Sequence, residues 1–340
     1  MKSLVRRAPG VGTARTQRGV SLVELMVALT LGLFIVGGAA SIYLANRNSF
    51  ATVENVARVE ENARFAVELL ARDIREAGGN MCGGMMTSTN LVSNPAPNWA
   101  AWENGILGNA MVGNSDIAGV SVAVPTGNAA QVSGTDSLLI WSASTGNAPV
   151  LITGHTVGDP GTFQTATAHG YQNGDLVVAC DGKQLVTFEV QNAGPYSVQY
   201  SGGAAVKTFA TSGLLSPITI HLWYVGGNTE GTPANALRRM TLDKNRPIQD
   251  AAGNAITPDE LITGVSNLQI KYLVGDVLGV PKPDAIYQTA AQSPSWGDVT
   301  SVQVMLTLSS LDKINSAGNA PSVFTYTLPL TVGVRRRLQP

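Results

Sequence analysis

Glu24 is the residue whose type and setting point most directly to chemistry. In Arg18-Gly19-Val20-Ser21-Leu22-Val23-Glu24-Leu25 it is the one charge after the glycine, and Leu25–Asn46 adds 22 residues without another. As a helix those 22 residues measure about 33 Å, enough to cross a bilayer. A carboxylate at the edge of such a span is costly in lipid unless it meets a cation or takes up a proton. An ionisable group there is a functional hypothesis by default. The chemistry it offers is ion pairing rather than bond making.

The elements that would position this carboxylate follow from charge and hydropathy. Lys2, Arg6, Arg7, Arg15 and Arg18 give residues 1–19 five positive charges and no negative one. Cations before an apolar span hold that end in the cytoplasm, so the rest of the chain is delivered outside. An ordinary cleaved signal is one alternative, with Gly38-Ala39-Ala40 as a weak small-residue site. A plain uncleaved anchor is another. Against the ordinary signal, the apolar run is long and would contain Glu24.

Gly19-Val20-Ser21-Leu22-Val23-Glu24-Leu25-Met26-Val27 resembles the leader and N-methylation motif of type IV pilins and type II secretion pseudopilins. The resemblance implies cleavage after Gly19 by a prepilin peptidase, with Val20 the methylated first residue and Glu24 the fifth mature residue. Val20 departs from the phenylalanine most common at that position. Glycine suits such a cut, because it fits a tight protease subsite and leaves the backbone flexible. Cleavage would leave an α-amine four residues from Glu24, about one helical turn. The cation for Glu24 would then be its own amine or that of a neighbouring subunit. The latter pairing sets register between subunits more than it adds stability.

Residues 20 to about 78 read as one long helix. Its first half is apolar all round and carries Gly32, Gly37 and Gly38, which permit close helix approach or local melting. Its second half is amphipathic: Val59, Ala63, Val67, Leu70, Ile74 and Ala77 recur at three- and four-residue spacing. Glu54 with Arg58, Glu60 with Arg64 and Glu68 with Arg72 are favourable i,i+4 pairs on a solvated face. Gly78-Gly79 is the expected stop.

From residue 80 the composition shifts to Gly, Ser, Thr, Asn, Val and Ala with few charges. The spacing predicts strands at Ser137–Ser142, Asp175–Cys180, Leu185–Val190, Pro217–Val225, Leu237–Leu242, Leu268–Val274, Thr300–Ser309 and Val323–Arg335. Turn signals stand at Asp181-Gly182, Gly226-Gly227-Asn228, Ala252-Gly253-Asn254 and Pro281-Lys282-Pro283. Residues 84–115 and 143–175 read as long polar loops, and 256–264 as room for a short helical turn. The expected fold class is α+β: a long N-terminal helix packed on a β-rich head, as in pilins. The expected divisions are a cleaved leader (1–19), a membrane or filament-core helix (20–46), its amphipathic continuation (47–79) and a periplasmic head (80–340).

Three head segments sharpen the resemblance. Arg72-Asp73-Ile74-Arg75-Glu76-Ala77-Gly78-Gly79 with Cys82-Gly83 is similar to the junction of PilW-type minor pilins. Residues 261–272 resemble that family's late strand, and 302–306 and 325–337 its closing strands. What this implies is a low-abundance subunit that helps initiate, prime or cap a type IV pilus. The implied partners are other minor and major pilins, the prepilin peptidase and an inner-membrane assembly platform. The alternatives are a type II secretion pseudopilin, or a membrane-anchored periplasmic binding or adhesion module.

An exported head meets an oxidising compartment, so Cys82 and Cys180, the chain's two cysteines, are expected to form a disulfide, the alternative being two separate buried thiols. His155, His169 and His221 have no metal-ligand spacing, and each is expected to be structural or exposed. No G-x-S-x-G, H-E-x-x-H, P-loop or C-x-x-C occurs, so neither an enzyme nor a cofactor is expected. Gly10-Val11-Gly12 precedes no βαβ unit. Without the five leader cations, 17 Lys and Arg face 23 Asp and Glu, a net of −6. That balance gives no broad basic field, and no nucleic-acid partner is expected. Arg335-Arg336-Arg337 reads as the solvated end of a final strand. Trp99 and Trp102 read as packed on the head or offered to another subunit.

Overall fold

The computed structural model describes residues 19–83, 86–92, 106–109, 116–117, 120–121, 129–144, 148–202, 206–227, 235–243, 246–247, 257–275, 286–292, 295–313 and 322–334. At 106–109, 116–117, 120–121, 243 and 246–247 the description is of the backbone only. The chain divides into two compact units at Val53/Glu54. One helix, α1 (Leu22–Glu76), contributes to both.

In the first unit α1 carries no charge from Leu25 to Asn46, and its large apolar side chains are exposed, Phe34 to 79% and, beyond that run, Phe50 to 76%. Gly32, Gly37 and Gly38 do not interrupt it, and a Cβ at any of the three would meet open space. Three of its hydroxyls bond back to its own carbonyls: Thr30 Oγ1 donates to Val27, Ser41 Oγ to Gly37 and Thr52 Oγ1 to Asn48, each at 2.9 Å. Water does not reward such a surface, whereas hydrocarbon requires it of a spanning helix.

In the second unit the same helix buries one stripe: Val59, Ala63, Ala66, Leu70, Ala71 and Ile74. Ala66 takes the inward place expected of Val67, which is half-buried. Arg58 pairs with Glu54 at 2.6 Å, and Arg72 with Glu76 at 3.5 Å rather than with Glu68. The helix stops at Glu76. Gly78 follows with φ 63°, a left-handed position that glycine occupies without strain, and the Gly79 N–H bonds the Glu76 carbonyl at 2.8 Å.

Strands fill the rest. In chain order they are β1 (Thr87–Asn90), β2 (Ile106–Asn109), β3 (Asp116–Ile117), β4 (Val120–Ser121), β5 (Ser137–Ala143), β6 (Val150–Thr156), β7 (Gly161–Thr165), β8 (Leu176–Cys180), β9 (Gln184–Glu189) and β10 (Asn192–Gly194). They continue with β11 (Ser197–Tyr200), β12 (Leu214–Gly227), β13 (Asn235–Asp243), β14 (Arg246–Pro247), β15 (Asp259–Thr263), β16 (Val265–Val274), β17 (Tyr287–Thr289), β18 (Val299–Ser309) and β19 (Thr325–Gly333). The architecture is α+β, a long N-terminal helix with a β-rich head of two main sheets.

β12 organises the larger sheet. Its first residues, Leu214–Pro217, pair with β8; its later ones, from Ile218, pair with β5 on one side and β13 on the other. Pro217, which has no N–H to give a ladder, marks the handover. β5 and β12 are buried on both faces. Leu138, Ile140, Trp223 and Val225 join the core that includes α1 and the second sheet, while Leu139, Trp141, Leu222 and Tyr224 face the opposite core. The second sheet, ordered β17-β16-β18-β19, is antiparallel throughout. A third core, around Phe163, Phe188 and Tyr200, lies among β6–β9 and β11.

Three sequence expectations are corrected. Residues 143–175 contain β6 and β7 as well as loop, and 84–115 contains β1 and β2. In 143–175, where 12 of 33 residues are Gly or Thr, this composition hid a strand pattern in which β6 buries just Ile152. At 256–264 there is no described helical turn but β15, which pairs with β13; tertiary pairing overrides weak local preference there. The turns at 252–254 and 281–283 lie outside the described residues.

Candidate functional site

Gly19 and Val20 stand outside the helix, in exposed irregular backbone, and Ser21 immediately precedes its first residue, Leu22. Ser21 Oγ accepts the Glu24 N–H at 3.2 Å, and the Ser21 carbonyl accepts the Leu25 N–H at 3.1 Å. Ser21-Leu22-Val23-Glu24 is thus a capping-box order, with the glutamate at the third helical position. Glu24 sits in the first turn, beside the positive pole of the helix dipole, and is exposed. Exposed beyond it run Leu25, Met26, Val27 and Leu29. Among the described residues α1 is the one helix long and apolar enough to cross a membrane. With the leader sequence before it, this makes the chain a membrane-anchored, single-pass protein.

The other end of α1 is held by a polar clamp that sequence reasoning did not find. Asp73 Oδ2 lies 3.0 Å from His221 Nδ1 and accepts the Trp223 indole N–H at 2.8 Å. His221 and Trp223 are two apart on β12, hence on one face of the strand. Burial alone would push the Asp73 carboxyl up. The bond and charge of His221, the Trp223 N–H and the nearby Arg239 cation outweigh it and hold the carboxyl below its ordinary value. The Arg239 guanidinium lies over the Trp223 ring at 5.8 Å from the centroid. The only sequence signal was Asp73 in the junction segment; its partners are 148 and 150 residues away.

Backbone and covalent links follow immediately. The Gly78 N–H bonds the Trp141 carbonyl at 2.8 Å, and the Ala143 N–H bonds the Gly79 carbonyl at 3.0 Å, so the chain leaving the helix runs beside β5. Cys82 and Cys180 form a disulfide with Cα atoms 6.0 Å apart, joining this segment to the end of β8. A second buried polar device stands behind the sheet. Arg238, fully buried, donates to the Gly227 and Pro258 carbonyls and to Glu260 Oε2 at 2.8 Å. A Cβ at Gly226 would come within 2.8 Å of Arg238 Cδ, so the glycine makes room for it.

The histidines are placed as follows. His155 stacks on Phe163 at 4.3 Å between centroids; it accepts the Phe209 N–H at Nδ1 and meets the Tyr200 hydroxyl at Nε2. Burial lowers its pKa, against a smaller opposing effect of Asp181. His169 stacks on Tyr171, and His221 belongs to the clamp. Among the described residues no three His, Cys, Asp or Glu side chains gather as a metal site. The leader before Gly19, Trp99, Trp102 and Arg335–Arg337 lie outside the described residues.

Comparison with known proteins matches the two ends of the chain. Residues 14–40 match the prokaryotic N-terminal methylation motif, and residues 222–333 match the type IV pilus-assembly protein W family. The second match takes in the later part of β12, with Trp223, and continues through Arg238, Arg239 and the whole of the four-stranded sheet. No curated protein matches the chain.

Proposed function

From the premise that this chain is a PilW-type type IV pilin with a role in pilus assembly, as its two matched segments support, we propose that it is a minor pilin. It enters the bacterial inner membrane through α1 with its head in the periplasm. Prepilin peptidase cuts after Gly19, and Val20 becomes the methylated N-terminus. Glu24 then meets the α-amine of a neighbouring subunit, or its own, while the helix moves from lipid into a filament or its priming complex. Its partners are other minor and major pilins and the inner-membrane assembly platform. The chain needs no catalytic centre for this, because its chemistry is helix insertion and ion pairing.

The observation that carries the reading is the coincidence of Gly19, a first-turn Glu24 and an uncharged helix exposed on all sides. The test is the mass of the N-terminal peptide of membrane-extracted protein, with and without an active prepilin peptidase. The expected peptide begins at methylated Val20 and is lost without the peptidase. A peptide beginning at Met1 in both would leave an ordinary anchor, and one beginning near Ser41 a conventional secreted protein. Either result overturns the proposal.

A further inference from the structure

Within the second unit, the last turns of α1 and the β5–β12–β13 strands line a cavity of about 250 Å³ that is open to solvent. It is separate from the N-terminal motif. Its lining carries charges of both signs: Arg72 and Arg239 against Asp73 and Glu76. We propose that this cavity binds an α-amino acid as its zwitterion.

The positive side has donors to spare. Arg239 carries five N–H groups, and among the described residues its one acceptor is Asp259 Oδ2, at 3.4 Å. A ligand carboxylate is the acceptor that a guanidinium fork matches best. The negative side is less evenly available. Asp73 Oδ2 is already taken by His221 and Trp223, whereas Glu76 is engaged by Arg72 at the long distance of 3.5 Å. Glu76 is therefore the acceptor for an ammonium group.

The floor suits a short polar ligand. Ser142 and Thr219 are directly opposed across β5 and β12, and among the described residues their hydroxyls have no hydrogen-bond partner. Leu69 and Ile140 supply apolar wall for a small side chain. The two arginines and two carboxylates cancel, so the lining selects neither a bare anion nor a bare cation. A zwitterion places each of its charges opposite its complement.

The full-length protein, purified in detergent, would be titrated calorimetrically with glycine, L-alanine and L-serine. Acetate, ethylamine, N-acetylalanine and alaninamide serve as probes lacking one charge. The expected result is saturable binding of at least one amino acid, and at least about tenfold weaker binding of every single-charge probe, the loss of one charged hydrogen bond. Arg239→Met and Glu76→Gln should each weaken binding by about tenfold or more. Because Arg239 also lies over Trp223, Ser142→Ala with Thr219→Val provides a second variant, which should weaken binding while leaving thermal unfolding unchanged. No heat or thermal shift with any amino acid up to about 10 mM, well above a millimolar Kd, would overturn the proposal. So would equal binding of acetate or alaninamide. The measurement needs no filament, so its outcome is independent of the assembly reading.

Discussion

The two halves of α1 share one backbone geometry and solve opposite problems. Before Val53 the large apolar side chains of the helix are exposed: Leu33 is 72% exposed and Phe34 79%. After Glu54 the same helix is fixed by everything around it, with Leu70 at 1% and Ile74 at 0% exposure. The first half takes its stability from whatever solvent or neighbour surrounds it, and Thr30, Ser41 and Thr52 bond back to its own carbonyls. The second half is part of the head's core, with a clamp at Asp73, a left-handed stop at Gly78 and a disulfide six residues beyond the helix. Helical propensity cannot explain this division, because Gly32, Gly37 and Gly38 lie in the half without tertiary support. Environment decides it: lipid enforces internal hydrogen bonding there, and packing enforces the helix elsewhere.

Two substitutions press on that contrast, the larger first. Replacing Cys82 and Cys180 together by serine opens a link spanning 98 residues of sequence. Chain-entropy reasoning gives about 4–5 kcal/mol as the upper figure for the head's loss of stability. Thermal unfolding of the purified protein followed by near-ultraviolet circular dichroism would read it. Unchanged unfolding would show that packing alone anchors the segment after the helix. Next, Leu70→Ala should cost the head about 2–5 kcal/mol, because the site is enclosed and the cavity remains. Leu33→Ala, the same chemical change on the same helix, should leave head unfolding where it was. Equal losses from both would erase the distinction between the halves.

How much of this was legible depended on range. The Gly19–Glu24 motif, the apolar run and the strands built on β-branched residues are local signals, and the strand at Thr300–Ser309 differs from β18 by one residue. β6, β7 and β15 were not legible, since each is held by a neighbour rather than by its own pattern. The clamp was legible least: Asp73 stood out only as one residue of the junction segment, and nothing near it in sequence announced His221 or Trp223. Arg238 was equally hidden, because a buried arginine reads as exposed until its carbonyl acceptors at Gly227 and Pro258 are known.

The clamp gives the smallest effect and the most particular signature. Asp73→Ala should cost the head about 2–3 kcal/mol, since it removes hydrogen bonds to a carboxylate and leaves the Trp223 N–H without its acceptor. A pH series separates this from simple packing loss. The Asp73 carboxyl is depressed in the folded protein, so its contribution is fully present above the unfolded carboxylate value of about 4 and fades as pH falls through the lower folded value. Asp73→Asn keeps the shape and removes the titration. Wild-type and Asp73→Asn stabilities should therefore differ at neutral pH and converge on acidification below about pH 4. A constant gap down to strongly acid pH would mean that shape, not charge, holds the end of the helix. The second half of α1 would then be anchored by the same apolar packing that the first half lacks, and by nothing more specific.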